Sequence, residues 1–86
     1  PHRVYSSYFD STKEEIDALN HLLFETKSFL DENYQPTSYN VGINCGIDAG
    51  QTISHVHIHL IPRYEGDVNN PEGGVRGVIP DKQKYK

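Results

Sequence analysis

Cysteine occurs once in this sequence, as Cys45, so no disulfide can close within the chain. A reducing, cytoplasmic setting is the simplest expectation. No apolar run approaches the ~18 residues of a membrane-spanning helix, and the sequence shows no signal-peptide pattern. Membrane partners are therefore not expected. Basic residues are also scarce: 8 Lys and Arg stand against 12 Asp and Glu, for a net charge of −4. That balance argues against nucleic acid as a partner, which calls for a basic surface. Phosphate binding stays open, because backbone dipoles and histidines can hold a phosphate without net positive charge. Hydrophobic residues make up 35%, low for a compact globule. At 86 residues the chain has room for one small domain or part of one. A unit this small buries only roughly 60–65% of its unfolded surface. The sequence begins at Pro1 rather than Met, and the expectation is that several strands precede it.

Residues 1–10 are mixed and aromatic, with little periodicity. A helix start follows. Ser11 with Glu14, or Thr12 with Glu15, fits a capping box, with Phe9 placed to act as a hydrophobic staple. Ile16, Leu19, Leu23, Thr26 and Leu30 then recur at helical spacing, flanked by Leu22 and Phe29. The stripe predicts an amphipathic helix over 12–32, and Pro36 blocks its continuation. Tyr39, Val41, Ile43 and Cys45 alternate with Asn40, Gly42 and Asn44, which predicts a half-buried strand over 39–45. The segment 46–52, GIDAGQT, reads as a glycine-containing loop. Alternation resumes over 54–61, a second strand and the return arm of an antiparallel hairpin. Residues 62–86 hold three of the five prolines and four of the seven glycines, and read as an irregular tail. The whole is an α+β unit, 1–86, without internal repeats.

The informative stretch is HVHIHLIPR, residues 55–63. On an extended strand, residues i, i+2 and i+4 share a face. His55, His57 and His59 would line one surface while Val56, Ile58 and Leu60 anchor the other. Three readings compete. Surface histidines in chance alternation are the plainest. A metal site is the second, since imidazole is a common zinc ligand. At ~3.3 Å per residue, however, His55 and His59 start about 13 Å apart, so two neighbours at most converge on one ion. Nucleophilic catalysis at phosphorus is the third. An imidazole nitrogen can attack a phosphoryl centre if a partner fixes its tautomer and donors meet the non-bridging oxygens. Flanking histidines and a glycine loop supply such groups. By parity, Asn44 lies on the polar face of its strand, where an antiparallel neighbour could aim it at the histidines.

Residues 44–59, NCGIDAGQTISHVHIH, resemble the histidine-triad (HIT) superfamily motif. The continuation LIPR (60–63) and GDVNNPEGGVR (66–76) is similar to the fragile-histidine-triad and bacterial HIT-hydrolase branch. The resemblance implies a HIT-like antiparallel sheet with one long helix, of which this chain would be the C-terminal half, the N-terminal strands being absent. It implies a nucleotide hydrolase acting on dinucleoside polyphosphates or nucleoside phosphoramidates, with adenine the expected base. The third histidine is present where the superfamily's transferases and phosphorylases usually carry glutamine, which points to hydrolysis. Under the resemblance, His57 would attack the α-phosphate and become nucleotidylated. His55 would orient it, and His59 would bind a non-bridging oxygen. Asn44 would contact ribose or phosphate, and Gly50, Gln51 and Thr52 would form the phosphate-facing loop. No cofactor and no protein-bound metal are expected, although a divalent ion could enter with the substrate. A homodimer through the helix and the 39–45 strand is expected too, since a two-stranded hairpin leaves edges to cover. The alternative is a nucleotide-binding or scaffolding module with little turnover. His21 and His2 default to surface and loop positions, Cys45 to a small buried hydrophobe, and Arg63 and Arg76 to solvent.

Overall fold

The computed structural model describes residues 7–53 and 55–84. A long helix, α1 (Lys13–Tyr34), leads into a two-stranded antiparallel sheet of β1 (Ser38–Gly42) and β2 (His59–Arg63). Short 3-10 turns occupy Tyr8–Asp10, Ile47–Ala49, Gly74–Val78 and Pro80–Lys82.

Of the two capping boxes the sequence allowed, the structure uses the second. The Glu15 amide donates to Thr12 Oγ1 at 3.2 Å, and the Thr12 amide donates to Glu15 Oε1 at 2.8 Å. Two donors at the helix start are thereby satisfied reciprocally. Glu15 is only 9% exposed, the most buried charged side chain among the described residues. Phe9 does not act as a staple. It is 82% exposed and meets Tyr8 edge-on instead, because the 3-10 turn at Tyr8–Asp10 carries its ring away from the helix. At the other end Gln35 takes the left-handed conformation, φ 46°, directly before Pro36. The helix thus runs two residues past the predicted end at residue 32, to the last position Pro36 permits.

The apolar stripe splits into two. Ile16, Leu19, Leu23 and Leu30 are half-buried, whereas Thr26 of the same row and the flanking Leu22 (51%) and Phe29 (56%) remain exposed. No apolar side chain is fully buried among the described residues. The helix is tied to β1 by Tyr39. Its hydroxyl donates to Asp31 Oδ1 at 2.7 Å, and Lys27 lies 5.2 Å from its ring centroid while pairing with Asp31. The Tyr64 hydroxyl adds a bond to the Tyr34 carbonyl at 2.9 Å, just past β2.

The ladder runs from Ser38 opposite Arg63 to Gly42 opposite His59. Both strands differ from the predicted ranges 39–45 and 54–61, since pairing stops at Gly42 and His59. Residues 43–58 are a long connection rather than a tight hairpin loop. Gly46 and Gly50, with φ of 99° and 94°, turn the chain out of ladder geometry. Alternation needs only an extended backbone, and it outlasts the ladder: burial still alternates from His55 to Leu60. The predicted irregular tail, 62–86, is also corrected. Pro62 and Arg63 belong to β2, and two 3-10 turns follow.

Arg63 closes the far end of the sheet. Its guanidinium donates twice to Asp67, at 2.7 and 2.9 Å, and once to the Asn40 side chain on β1. The Tyr64 amide also donates to Asp67, at 3.1 Å. Together the Arg63 and Tyr64 donors hold the Asp67 carboxyl well below its ordinary value of 3.8.

Two measurements follow on the natural protein. Thr12→Ala removes one half of the capping box and should lower unfolding free energy by about 1 kcal/mol in urea denaturation. A cap that contributes nothing would leave the midpoint unchanged. Folded Asp67 binds its proton more weakly than the unfolded chain does. Its contribution is therefore present above the ordinary carboxylate value and lost as pH falls toward the folded one. Asp67→Asn should flatten the stability profile below about pH 4. Equal acid slopes in the two proteins would exclude a contribution from this pair.

Candidate functional site

Asn44, Gly50, Gln51, Thr52, Ile53, His55, His57 and His59 line one shallow cleft of about 170 Å³. All seven residues singled out in the sequence meet there. The cleft lies below the ~300–1,000 Å³ of a site that encloses a whole drug-sized ligand. Its size suits one phosphate and the atoms attached to it.

Three local features build it. The first is the extended run into β2. His55, His57 and His59 stand on one side while Val56, Ile58 and Leu60 turn inward and are half-buried. The rings of His55 and His57 stack, with centroids 5.0 Å apart and planes at 29°. The second is Asn44, two residues beyond the end of β1. A Cβ on Gly50 would stand 3.9 Å from its amide nitrogen, so strand end and loop are neighbours. The third is the loop itself. The amides of Ala49 and Gln51 both donate to the Gly46 carbonyl, each at 3.1 Å, and the Gly50 amide donates to Ile47 at 2.9 Å.

That pattern refines the expected phosphate cradle. The amides of Ala49, Gly50 and Gln51 are spent inside the loop. Among the described residues, those of Thr52 and Ile53 make no hydrogen bond. The donors left for an anion are therefore two and three residues downstream of Gly50. Gly50 contributes its conformation instead, since φ 94° disfavours any residue with a Cβ. Sequence reasoning passed over Ile53. The signal available in the sequence was its place two residues before His55, in step with the three histidines.

The remaining candidates lie elsewhere. Cys45 is half-buried and does not line the cleft. His21 is exposed on α1, 3.3 Å from Glu25. Arg63 is committed to Asp67 and Asn40 rather than to solvent, and Arg76 donates to the Lys82 carbonyl at 3.3 Å. His2 falls outside the described residues. Among the described residues, no three His, Cys, Asp or Glu side chains are placed to hold one metal ion. No helix among them is long and apolar enough to cross a membrane.

A long helix against an antiparallel sheet, with a histidine-rich cleft at the strand ends, defines a small α+β domain of one particular class. The HIT domain family profile matches residues 1–66. The chain belongs to the HIT domain family. It is 34% identical over 67 residues to a bis(5'-nucleosyl)-tetraphosphatase (asymmetrical) of Schizosaccharomyces pombe, covering 78% of this chain and 37% of that protein. It is 36% identical over 84 residues to the bifunctional bis(5'-adenosyl)-triphosphatase/adenylylsulfatase FHIT of Arabidopsis thaliana, covering 98% of this chain and 46% of the relative. Among solved structures it resembles the Plasmodium falciparum diadenosine triphosphate hydrolase in complex with cyclomarin A. The TM-score is 0.70 at 34% identity, over 79% of this chain and 46% of the other. The chain thus spans between about a third and a half of the length of these relatives.

Gly50→Ala tests the conformational role. A methyl group meets nothing closer than ordinary contact distance there, so the cost is backbone strain alone. Strain of this kind costs of order 1–3 kcal/mol. Affinity for a nucleoside monophosphate, read by calorimetry on the natural protein, should fall by about tenfold as the loop shifts. Unchanged affinity would show that the loop's shape does not set the cleft.

Proposed function

We propose that this cleft is the phosphate-reactive centre of a nucleotide hydrolase that cleaves dinucleoside polyphosphates through a nucleotidyl-His57 intermediate. One observation carries the reading: three histidines, an asparagine and two residues whose backbone amides are unpaired among the described residues line one phosphate-sized cleft. The names of the relatives favour phosphoric anhydrides, with adenosine as the nucleoside, over phosphoramidates as substrates.

His57 sits mid-row, with His55 stacked on one side and His59 on the other. Its neutral imidazole attacks the α-phosphorus, forming a P–N bond as the bond to the bridging oxygen breaks. The electron pair leaves with the remaining polyphosphate. Water then attacks the same phosphorus, the P–N bond breaks, and a nucleoside monophosphate departs with His57 restored. His55 orients the nucleophile. His59, with the amides of Thr52 and Ile53, meets charge on the non-bridging oxygens, as preorganised donors do at an oxyanion. Asn44 reaches ribose or phosphate from the strand end. This chemistry calls on no cofactor, and a divalent ion enters as the counterion of the polyphosphate.

Under the same reading the protein is a cytoplasmic homodimer that joins through the helix, at Leu22 and Phe29, and through the first strand. Exposed aromatic and aliphatic side chains on one helix favour such an interface. Light scattering on the natural protein at micromolar concentration should return twice the subunit mass, and a monomeric mass would refute the dimer.

His57→Asn removes the nucleophile and keeps some hydrogen bonding. Turnover of a diadenosine polyphosphate should fall by about 10³-fold or more, with AMP binding largely kept. His59→Asn should cost about 10²–10³-fold, as for one lost oxyanion donor. Acid quench of the wild-type protein with labelled substrate should trap label on protein. Wild-type turnover in His57→Asn would end the proposal. A wild-type protein that binds AMP without any turnover would instead be a binding module.

A further inference from the structure

Gln51 lines the cleft, yet its carboxamide is engaged within the chain. The Gly46 amide donates to its Oε1 at 2.7 Å, and its Nε2 donates to the Ile53 carbonyl at 2.9 Å. Its own amide donates to the Gly46 carbonyl at 3.1 Å. Gly46 and Gln51 are therefore paired twice, once through backbone and once through side chain. Gly46 itself has φ 99° and ψ 159°, a region open in practice to glycine alone. One side chain thus joins a glycine-only turn at one end to the start of the histidine run at the other. Thr52, whose amide is unpaired, lies within this bridge, and Ile53 accepts it at the far end.

We propose that Gln51 is a positioning residue. Its carboxamide clips Gly46 to Ile53 and so fixes the distance between the phosphate loop and the histidine row. The idea rests on the hydrolase reading above. A ligand of the phosphate would act by a different route, through direct contact. The clip acts by holding Thr52 and Ile53 in register with His57, where a misplacement of about 1 Å costs on the order of 10²-fold in rate. The clip can be cut from either end. Gln51→Met keeps the length of the side chain and removes both hydrogen bonds. Gly46→Ala puts a methyl group into open space, with nothing within 4 Å, and disfavours only the backbone conformation that the clip needs.

Each single variant of the natural protein should lower kcat for diadenosine polyphosphate by about 10–100-fold, with KM changed less than about threefold. The double variant should be no worse than the poorer single one by more than about threefold, because both remove the same device. Direct phosphate binding by Gln51 predicts a raised KM and multiplying losses, and either result overturns the proposal. Amide exchange of Gly46 supplies a readout independent of catalysis. It should quicken by about tenfold or more in Gln51→Met, and unchanged exchange also overturns the clip. If the wild-type protein hydrolyses no dinucleoside polyphosphate, the hydrolase reading falls, and the Gly46 exchange rate still decides whether the clip exists.

Discussion

The site depends on a parity constraint. An extended polypeptide must send alternate side chains to opposite sides, and burial alternates in that way from His55 to Leu60. Val56, Ile58 and Leu60 gain by turning inward, and that preference alone orients the three imidazoles outward together. A slip of one residue would exchange the two sets. Nothing in this constraint requires a continuous ladder, and pairing covers only His59–Arg63 in the second strand. Hydrophobic anchoring performs the task that hydrogen bonding performs in a wider sheet.

Polar knots hold the frame around that run. Tyr39 reaches from β1 to Asp31 on the helix, while Arg63 reaches from β2 to Asn40 on β1 and to Asp67 in the following turn. Burial and the hydrogen bond to Asp31 raise the Tyr39 phenol to about 12, so it remains a donor throughout the neutral range. Asp67 is kept ionised by Arg63 and the Tyr64 amide. The ion pair that ties the sheet together is thus separate from the residues that line the cleft.

Much of this was legible in the sequence, for identifiable reasons. The capped stripe marked α1 because capping and helical periodicity are local. The histidine face was legible because parity is local too. Strand limits were less so: where pairing stops at Gly42 and His59 depends on the positive φ values of Gly46 and Gly50, which composition marks only as a loop. Phe9 misled for a similar reason, because the 3-10 turn that diverts it leaves little trace in the residue pattern. The cleft's membership was readable by register, whereas the division of labour among the loop amides was not. Which N–H groups are left unpaired, and what the Gln51 carboxamide joins, follow from torsion angles that no spacing rule encodes. Arg63 shows the same limit. Its partners, Asp67 and Asn40, are four residues and a strand away.

Among the described residues, those that line the cleft all fall between Asn44 and His59. A site gathered from one unbroken stretch needs little loop-closure entropy to assemble, since its parts are never far apart along the chain. Such a stretch behaves as a cassette. Its internal geometry depends little on distant parts of the chain, so flanking structure can vary while the arrangement of the cleft is kept.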